Sequence, residues 1–402
     1  MTVEMKKYKL GDIAKIYDGP HATPKKIDQG PIYLGINAVT EDCRIDPNGL
    51  AFLSEEDYKV WTKRVTPQHK DIVFSYEATL GRYAIIPENF YGCLGRRLGI
   101  VRVVDSKVNY EWLFYYFQSP QWKSFIKNHT IKGSTVDRIS VEEMPNYEIP
   151  AIDINKQNRI ALVLSTLDKR IENLRAQNRV LEQTAKTIYD YTFLQCAGHQ
   201  TTYNKTLNRN IPVDWEVKCL GDLVRVSKES LNPQNYPEKQ FKHFSIPSFD
   251  DNGSYSLEYG KDIFSNKFVV NNNHVLISKL NPWKNRAVWC DENDDAIGST
   301  EFVTLLPHKL EDKAFVFSIV KSDSFIEYCS DAATGTSHSH RRVSPDIMMK
   351  FPIAYDEKTV AKFNAKVTPL FKKQLVNTRQ IETLTTQRNT LLPLLMTGQI
   401  EV

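Results

Sequence analysis

Short motifs in the first half of this chain recur in the same order in the second half, and that duplication limits the fold more than any other feature. Lys9-Leu10-Gly11-Asp12-Ile13 returns 210 residues later as Cys219-Leu220-Gly221-Asp222-Leu223. Asp71-Ile72-Val73-Phe74-Ser75 returns as His274-Val275-Leu276-Ile277-Ser278, and Trp112 through Ser119 returns as Phe315 through Ser322, both at an offset of 203. Gly133-Ser134-Thr135 with Arg138-Ile139-Ser140 is echoed by Gly335-Thr336-Ser337 with Arg342-Val343-Ser344. The order holds while the offset drifts, as small loop insertions would cause. The 402 residues therefore read as two copies of one module of about 150 residues, each large enough for its own core.

Each copy is followed by a segment of different character. Ile160, Leu164, Leu167, Ile171, Leu174, Asn178, Leu181, Ala185 and Ile188 alternate in steps of four and three, the a/d seam of a heptad repeat. A helix from about Gln157 to Gln195 is expected, capped by Asp153 or Asn155 after Pro150. Phe363, Val367, Leu370, Gln374, Asn377, Ile381, Leu384, Leu391 and Leu395 form the second seam, with Arg388 interrupting it. Pro369 predicts a break or late start there, and Pro393 an end or kink. So narrow an apolar stripe needs a partner, and the simplest is the other helix of the chain. On that reading the seam residues Asn178 and Asn377 fix register; the alternative packs each helix on its own globule with the asparagines at an edge.

Between these helices, short β-rich runs such as Asp71 to Ser75 and Leu98 to Val104 are set off by Gly, Pro and Asn turns and alternate with helical stretches such as Tyr110 to Lys127. The expected class is α/β in the α+β sense: two similar mixed globules, each followed by a long helix, with the helices pairing as an antiparallel coiled coil. The expected boundaries are a globule over 1–150, the central helix over 151–200, a second globule over 201–352 and the C-terminal helix over 353–402. Ala197 to Pro212, rich in Thr and Asn, reads as a linker.

Composition narrows the chemistry. A net charge of +4, from 52 basic against 48 acidic residues, excludes a polybasic binder but leaves nucleic acid open if the positive charge is gathered on one surface. The cysteines at 43, 93, 196, 219, 290 and 329 show no paired spacing, which points away from zinc or a disulfide framework and toward a reducing cytoplasm. No run of 18 apolar residues suggests a membrane span, so a soluble protein is expected. No phosphate-binding loop, dinucleotide fingerprint or nucleophile elbow is present. Asn281-Pro282-Trp283 superficially resembles the motif with which amino-methyltransferases grip a flipped base, but one proline is missing and a turn closing the preceding strand is the better reading. His338-Ser339-His340 lacks a third ligand and sits beside Arg341-Arg342, which argues against a metal. The chain reads as non-catalytic, with no cofactor or metal of its own.

Binding remains. Lys132, Ser134, Thr135 and Arg138 surround the glycine loop of the first half, and Thr336, Ser337, His338, His340, Arg341 and Arg342 surround its echo. Arg82, Arg96 and Arg97 have counterparts in the neighbourhood of Lys279, Lys284 and Arg286. Such residues supply phosphate positioning and base-edge readout, and their recurrence at matched places in both halves points to one shared ligand.

Two globules opening with Leu-Gly-Asp, each followed by a long helix, resemble the specificity (S) subunit of type I restriction–modification enzymes over nearly the whole chain. The sharpest local elements are Ile149-Pro150-Ala151 with Gln157-Asn158-Arg159-Ile160-Ala161 and Leu167-Asp168, and the ending Leu391-Leu392-Pro393-Leu394-Leu395-Met396-Thr397-Gly398. Ala151 stands where the family has a second proline, and the second junction, Phe351-Pro352-Ile353 through Val360-Ala361, lacks the glutamine. The resemblance implies two target-recognition domains reading a split, asymmetric sequence in double-stranded DNA, with the helices as a ruler. It also implies docking of two methyltransferase (M) subunits and, through them, restriction (R) subunits. S-adenosylmethionine, ATP and magnesium would belong to those partners. The rival readings are a DNA-modifying enzyme with an unrecognised site and a coiled-coil scaffold that binds only proteins.

Overall fold

The computed structural model describes residues 6–133, 136–335 and 340–402. Contacts divide the chain into two units, Met1–Glu172 with Glu382–Val402, and Asn173–Ile381. In the first, β1 (Ala14–Asp18), β2 (Ile72–Ser75), β3 (Tyr83–Ile85) and β4 (Leu98–Val103) form an antiparallel sheet in the order β1-β4-β2-β3. Helices α1 (Tyr110–Tyr116) and α2 (Pro120–Asn128) follow, and then the long helix α3 (Ile154–Tyr189). In the second unit β5 (Val224–Ser227), β6 (Val275–Ser278), β7 (Ala287–Trp289) and β8 (Phe302–Pro307) take the order β5-β8-β6-β7. They are followed by α4 (Lys313–Lys321), α5 (Asp323–Asp331) and the long helix α6 (Glu357–Thr397). The same strand order twice over is what the repeated motifs call for.

The echoed residues hold equivalent jobs. Leu10 and Leu220 are fully buried, and Gly11 lies so close to Pro145 that an added Cβ would sit 2.9 Å from the proline's own. A side chain there would push the turn away, which is why glycine stands second in Leu-Gly-Asp. The helical stretch expected over Tyr110 to Lys127 is divided into two helices. Pro120 lacks the N–H a helix interior needs, and the Ser119 hydroxyl accepts the Trp122 amide at 3.2 Å, starting a new helix. Ser322 does the same for the Phe325 amide in the second unit. Trp112, Leu113, Phe117 and Trp122 fill the first core, and Phe193, Phe315, Phe363 and Val367 the second.

Asp153 caps α3, its carboxylate accepting the Asn155 amide at 2.9 Å. The 36-residue helix, about 54 Å at 1.5 Å per residue, ends in a π-helical turn over Asp190–Leu194 that turns Phe193 into the core. In the first unit Arg388 on α6 meets Asp168 on α3 at 2.9 Å; in the second, Asn377 meets Asn178 at 2.9 Å. Numbers fall on one helix as they rise on the other, so the pair is antiparallel. Ile160, Ile171, Leu174 and Val367 are buried, and Leu167, Leu181, Leu370, Ile381 and Leu384 are half-buried along the same seam.

Three sequence expectations are overturned. Pro369 and Pro393 neither break nor end α6, which runs unbroken for 41 residues. Proline costs a helix interior about 3 kcal/mol, but Ala365, whose carbonyl loses its amide partner at Pro369, is exposed and can be satisfied by water. Phe363, Val367 and Phe371 on the opposite side are buried, at about 1.5–3 kcal/mol each, and outweigh the loss. The helix stops instead at Gly398, whose φ of 72° and the Gln399 amide bonded back to the Leu394 carbonyl make a left-handed C-terminal cap. The linker expected over Ala197 to Pro212 is largely an antiparallel hairpin, Thr201–Asn204 against Arg209–Pro212, with Ile211 buried in the second core. Its Thr- and Asn-rich composition serves the turn: the Asn204 side chain accepts the amides of Thr206 and Leu207. Arg388, read as an interruption of the seam, completes a polar contact in the first unit with Asp168, which also accepts the Tyr115 hydroxyl at 2.7 Å. Burial, followed by the Asp168 charge, pushes the Tyr115 phenol well above its ordinary range.

The asparagine pair yields a test. Asn377 is fully buried and donates to the Asn178 side-chain oxygen, while the Asn178 amide reaches the Gln374 carbonyl and the Thr378 hydroxyl. Asn377→Leu alone is expected to destabilise the second unit by about 1–3 kcal/mol, since it leaves the half-buried Asn178 side-chain oxygen without its donor. Asn178→Leu with Asn377→Leu is expected to be more stable than either single variant, because an apolar pair leaves nothing unsatisfied. Urea midpoints of the four proteins check this; a double variant weaker than both singles contradicts it.

Candidate nucleic-acid interface

The site is built from two loops that clasp each other, and it occurs once in each unit. In the first, the turn between β2 and β3 (residues 76–82) receives the loop that follows α2. The Ile139 amide donates to the Tyr76 carbonyl at 2.8 Å and the Ala78 amide to the Asp137 carbonyl at 3.1 Å, while Arg138 bridges Glu77 and Ile131. In the second, the turn between β6 and β7 (residues 279–286) receives the loop after α5. The Val343 amide donates to the Lys279 carbonyl at 3.0 Å and the Asn281 amide to the Arg341 carbonyl at 2.7 Å, while Arg342 bridges Leu280 and Thr334. A left-handed residue marks the turn in both, Ala78 with φ 67° and Asn281 with φ 49°. The repeated motifs around Ser75 and Ser278, and around Arg138 and Arg342, thus come from distant stretches of sequence to one place in each copy.

The candidate cations there divide by their acidic partners. Arg82 reaches Glu41 at 3.3 Å, Arg97 lies 3.2 Å from Glu77, Lys132 pairs with Asp137 at 2.7 Å, and Arg342 takes Glu301 through two nitrogens at 3.0 and 3.1 Å. Arg96, Arg138 and Lys284 are exposed, Lys279 and Arg341 half-buried, and among the described residues none of these five is ion-paired. Cations presented without a nearby carboxylate are the ones able to meet phosphates or base edges at full strength. His340 is exposed at the end of the second loop. Ser134, Thr135, Thr336, Ser337 and His338 lie outside the described residues.

One candidate is corrected. Arg286 is 3% exposed and its guanidinium is held by both oxygens of Asp250, at 2.5 and 2.7 Å, with a further bond to the Leu280 carbonyl. It braces the base of the turn and presents no charge to a ligand. Asp250 is 36 positions away on another element, and no local pattern signals that pairing. Asn281-Pro282-Trp283 falls in a turn after β6, as the sequence suggests: a single 3-10 turn over Pro282–Lys284 with Asn281 at its start. Among the described residues no cluster of three His, Cys, Asp or Glu is placed to hold a metal, and no helix is long and apolar enough to cross a membrane.

What the arrangement offers chemically is positive charge on exposed loops held by backbone hydrogen bonds. Comparison with known proteins agrees with the layout. Residues 2–183 match the family described as the type I restriction modification DNA specificity domain. The type I restriction enzyme MjaIX specificity subunit of Methanocaldococcus jannaschii is 27% identical, the match covering 100% of this chain and 90% of that protein. The MjaVIII specificity subunit of the same organism is 22% identical over 86% of this chain and 82% of its own length. Among solved structures, the S subunit of a type I restriction-modification system from M. genitalium superposes with a TM-score of 0.61 at 14% identity, covering 98% of this chain and 97% of that one.

Proposed function

We propose that this chain, similar over residues 2–183 to the type I restriction modification DNA specificity domain and over its whole length to a specificity subunit, is the subunit that reads DNA sequence for such a complex. Each unit serves as a target-recognition domain for one half of a bipartite site, with the paired helices as the spacer element. The observation that carries this reading is the recurrence of one loop clasp, bearing unpaired cations, in both units. The clasps are alike in backbone and unlike in charge: the position before the bridging arginine is Asp137 in the first and Arg341 in the second. Like frames with unlike side chains read different bases, so the expected target is asymmetric.

In this reading the subunit is not itself catalytic. Two methyltransferase subunits dock on it and carry S-adenosylmethionine, and restriction subunits that join through them carry the ATP- and magnesium-dependent steps. It works in the cytoplasm, and its six unpaired cysteines fit a reducing compartment. The test is selection from a random-sequence duplex pool by the full chain assembled with its methyltransferase partner. A single split motif with two unlike halves is the expected result. Recovery of no motif, with affinity independent of salt, would instead favour a protein-only scaffold.

A further inference from the structure

Trp283 is 43% exposed, whereas Trp112, Trp122, Trp215 and Trp289 are at most 8% exposed. It sits in the middle of the Pro282–Lys284 turn, between two residues in the left-handed region, Asn281 at φ 49° and Asn285 at φ 44°. That turn is fixed at several points. The Arg341 amide donates to the Asn281 side chain at 3.1 Å, the Asn285 amide to the Pro282 carbonyl at 3.0 Å, and the Asn285 side chain to the Lys321 carbonyl at 3.4 Å. Within the same turn Pro282 is buried, and Arg286 at its end is locked to Asp250. A rigid platform thus holds a large apolar ring out toward solvent. The same clasp carries Lys279, Lys284 and Arg341, none ion-paired among the described residues.

The fold does not require this tryptophan. The corresponding turn of the first unit, residues 76–82, carries Leu80, which packs against the first core. The second unit therefore exposes an aromatic ring where its duplicate tucks an apolar side chain away. An exposed apolar wedge on a stiff turn flanked by cations is the combination that separates stacked base pairs while neighbouring charges hold the phosphates.

We infer that Trp283 is a recognition residue of the second unit, stacking its indole against a base step of the bound duplex and unstacking that step. The inference rests on the DNA-reading function proposed above and adds a mode of contact that positive charge alone does not supply. It also makes the two half-sites mechanically different, since only the half read by the second unit meets a ring.

The test uses the full chain with its methyltransferase partner and the duplex recovered by selection, with 2-aminopurine substituted in turn across both half-sites. Wild type is expected to change the fluorescence several-fold at one step, in one half-site only. Trp283→Ala is expected to abolish that change and weaken binding by about 10- to 100-fold, the loss typical of one base–aromatic stack. Trp283→Phe, which keeps a ring, retains most of both. The salt dependence should be the same for all three, since no phosphate contact is removed. Near-ultraviolet circular dichroism of Trp283→Ala shows that the fold is kept. If Trp283→Ala binds and perturbs the duplex as wild type does, the inference is wrong. It is equally wrong if that variant loses its protein partner while DNA binding is unchanged, since Trp283 is then a protein contact. Failure of wild type to select any sequence lies one step earlier and overturns the DNA-reading function itself, and this inference with it.

Discussion

Replacing Arg138 and Arg341 together by alanine is expected to lower DNA affinity at least about 30-fold at moderate salt. Each is a cation in one of the two clasps, and neither has an acidic partner among the described residues. A well-placed arginine contact is worth about 1–3 kcal/mol, and the two lie in different units, so their effects should add. The slope of log affinity against log salt should become shallower by about 0.9 for each arginine that touches a phosphate. Arg342→Ala is expected to cost only a few-fold, because its guanidinium is already engaged by Glu301. Binding isotherms between 50 and 200 mM salt, a range across which phosphate contacts weaken strongly, separate the variants. A double variant that binds like wild type would remove the clasps from the interface.

The second large effect concerns stability. Asp250→Ala is expected to cost about 3 kcal/mol, the low end for breaking a buried ion pair, since it leaves Arg286 buried with only the Leu280 carbonyl while Asp250 itself is half-exposed. Combining it with Arg286→Met should recover most of the loss, because the uncompensated charge is then gone. The Arg286 guanidinium, through its hydrogen bonds first and its charge second, holds the Asp250 carboxyl below its ordinary value. A carboxyl depressed in the folded state stabilises fully above its unfolded value, near 4, and the stabilisation is lost as pH falls through the folded value. Wild type and Asp250→Asn should therefore differ most at neutral pH and converge as pH falls through the folded-state value of Asp250. Urea midpoints across that range, with unchanged slopes, measure both effects.

Little of this charge arrangement was legible in the chain. Arg286 and Arg341 look alike as letters in basic stretches of the second half. Asp250 buries one, while the other is left without an acid beside it, and the difference is set by residues tens of positions away. Trp283 was visible only as part of a turn, because exposure of a side chain depends on what the rest of the fold leaves uncovered. Pro369 misled in the opposite direction. Local propensity argues for a break, but the face of α6 that lost its hydrogen bond is the solvated one, and the buried face carries the energy.

By itself the sequence determined the duplication, the strand-forming runs and the heptad seams, and through their order the family resemblance. Those are periodic or repeated features, in which each residue's neighbours along the chain carry the signal. The tertiary structure decided between the two readings of Asn178 and Asn377, which meet across the paired helices, and it alone showed that distant loops clasp at Ala78 and Asn281. It alone separated braced cations from presented ones. Those outcomes depend on which groups meet across space, where burial makes an unpaired charge or amide costly, and spacing along the chain does not encode them.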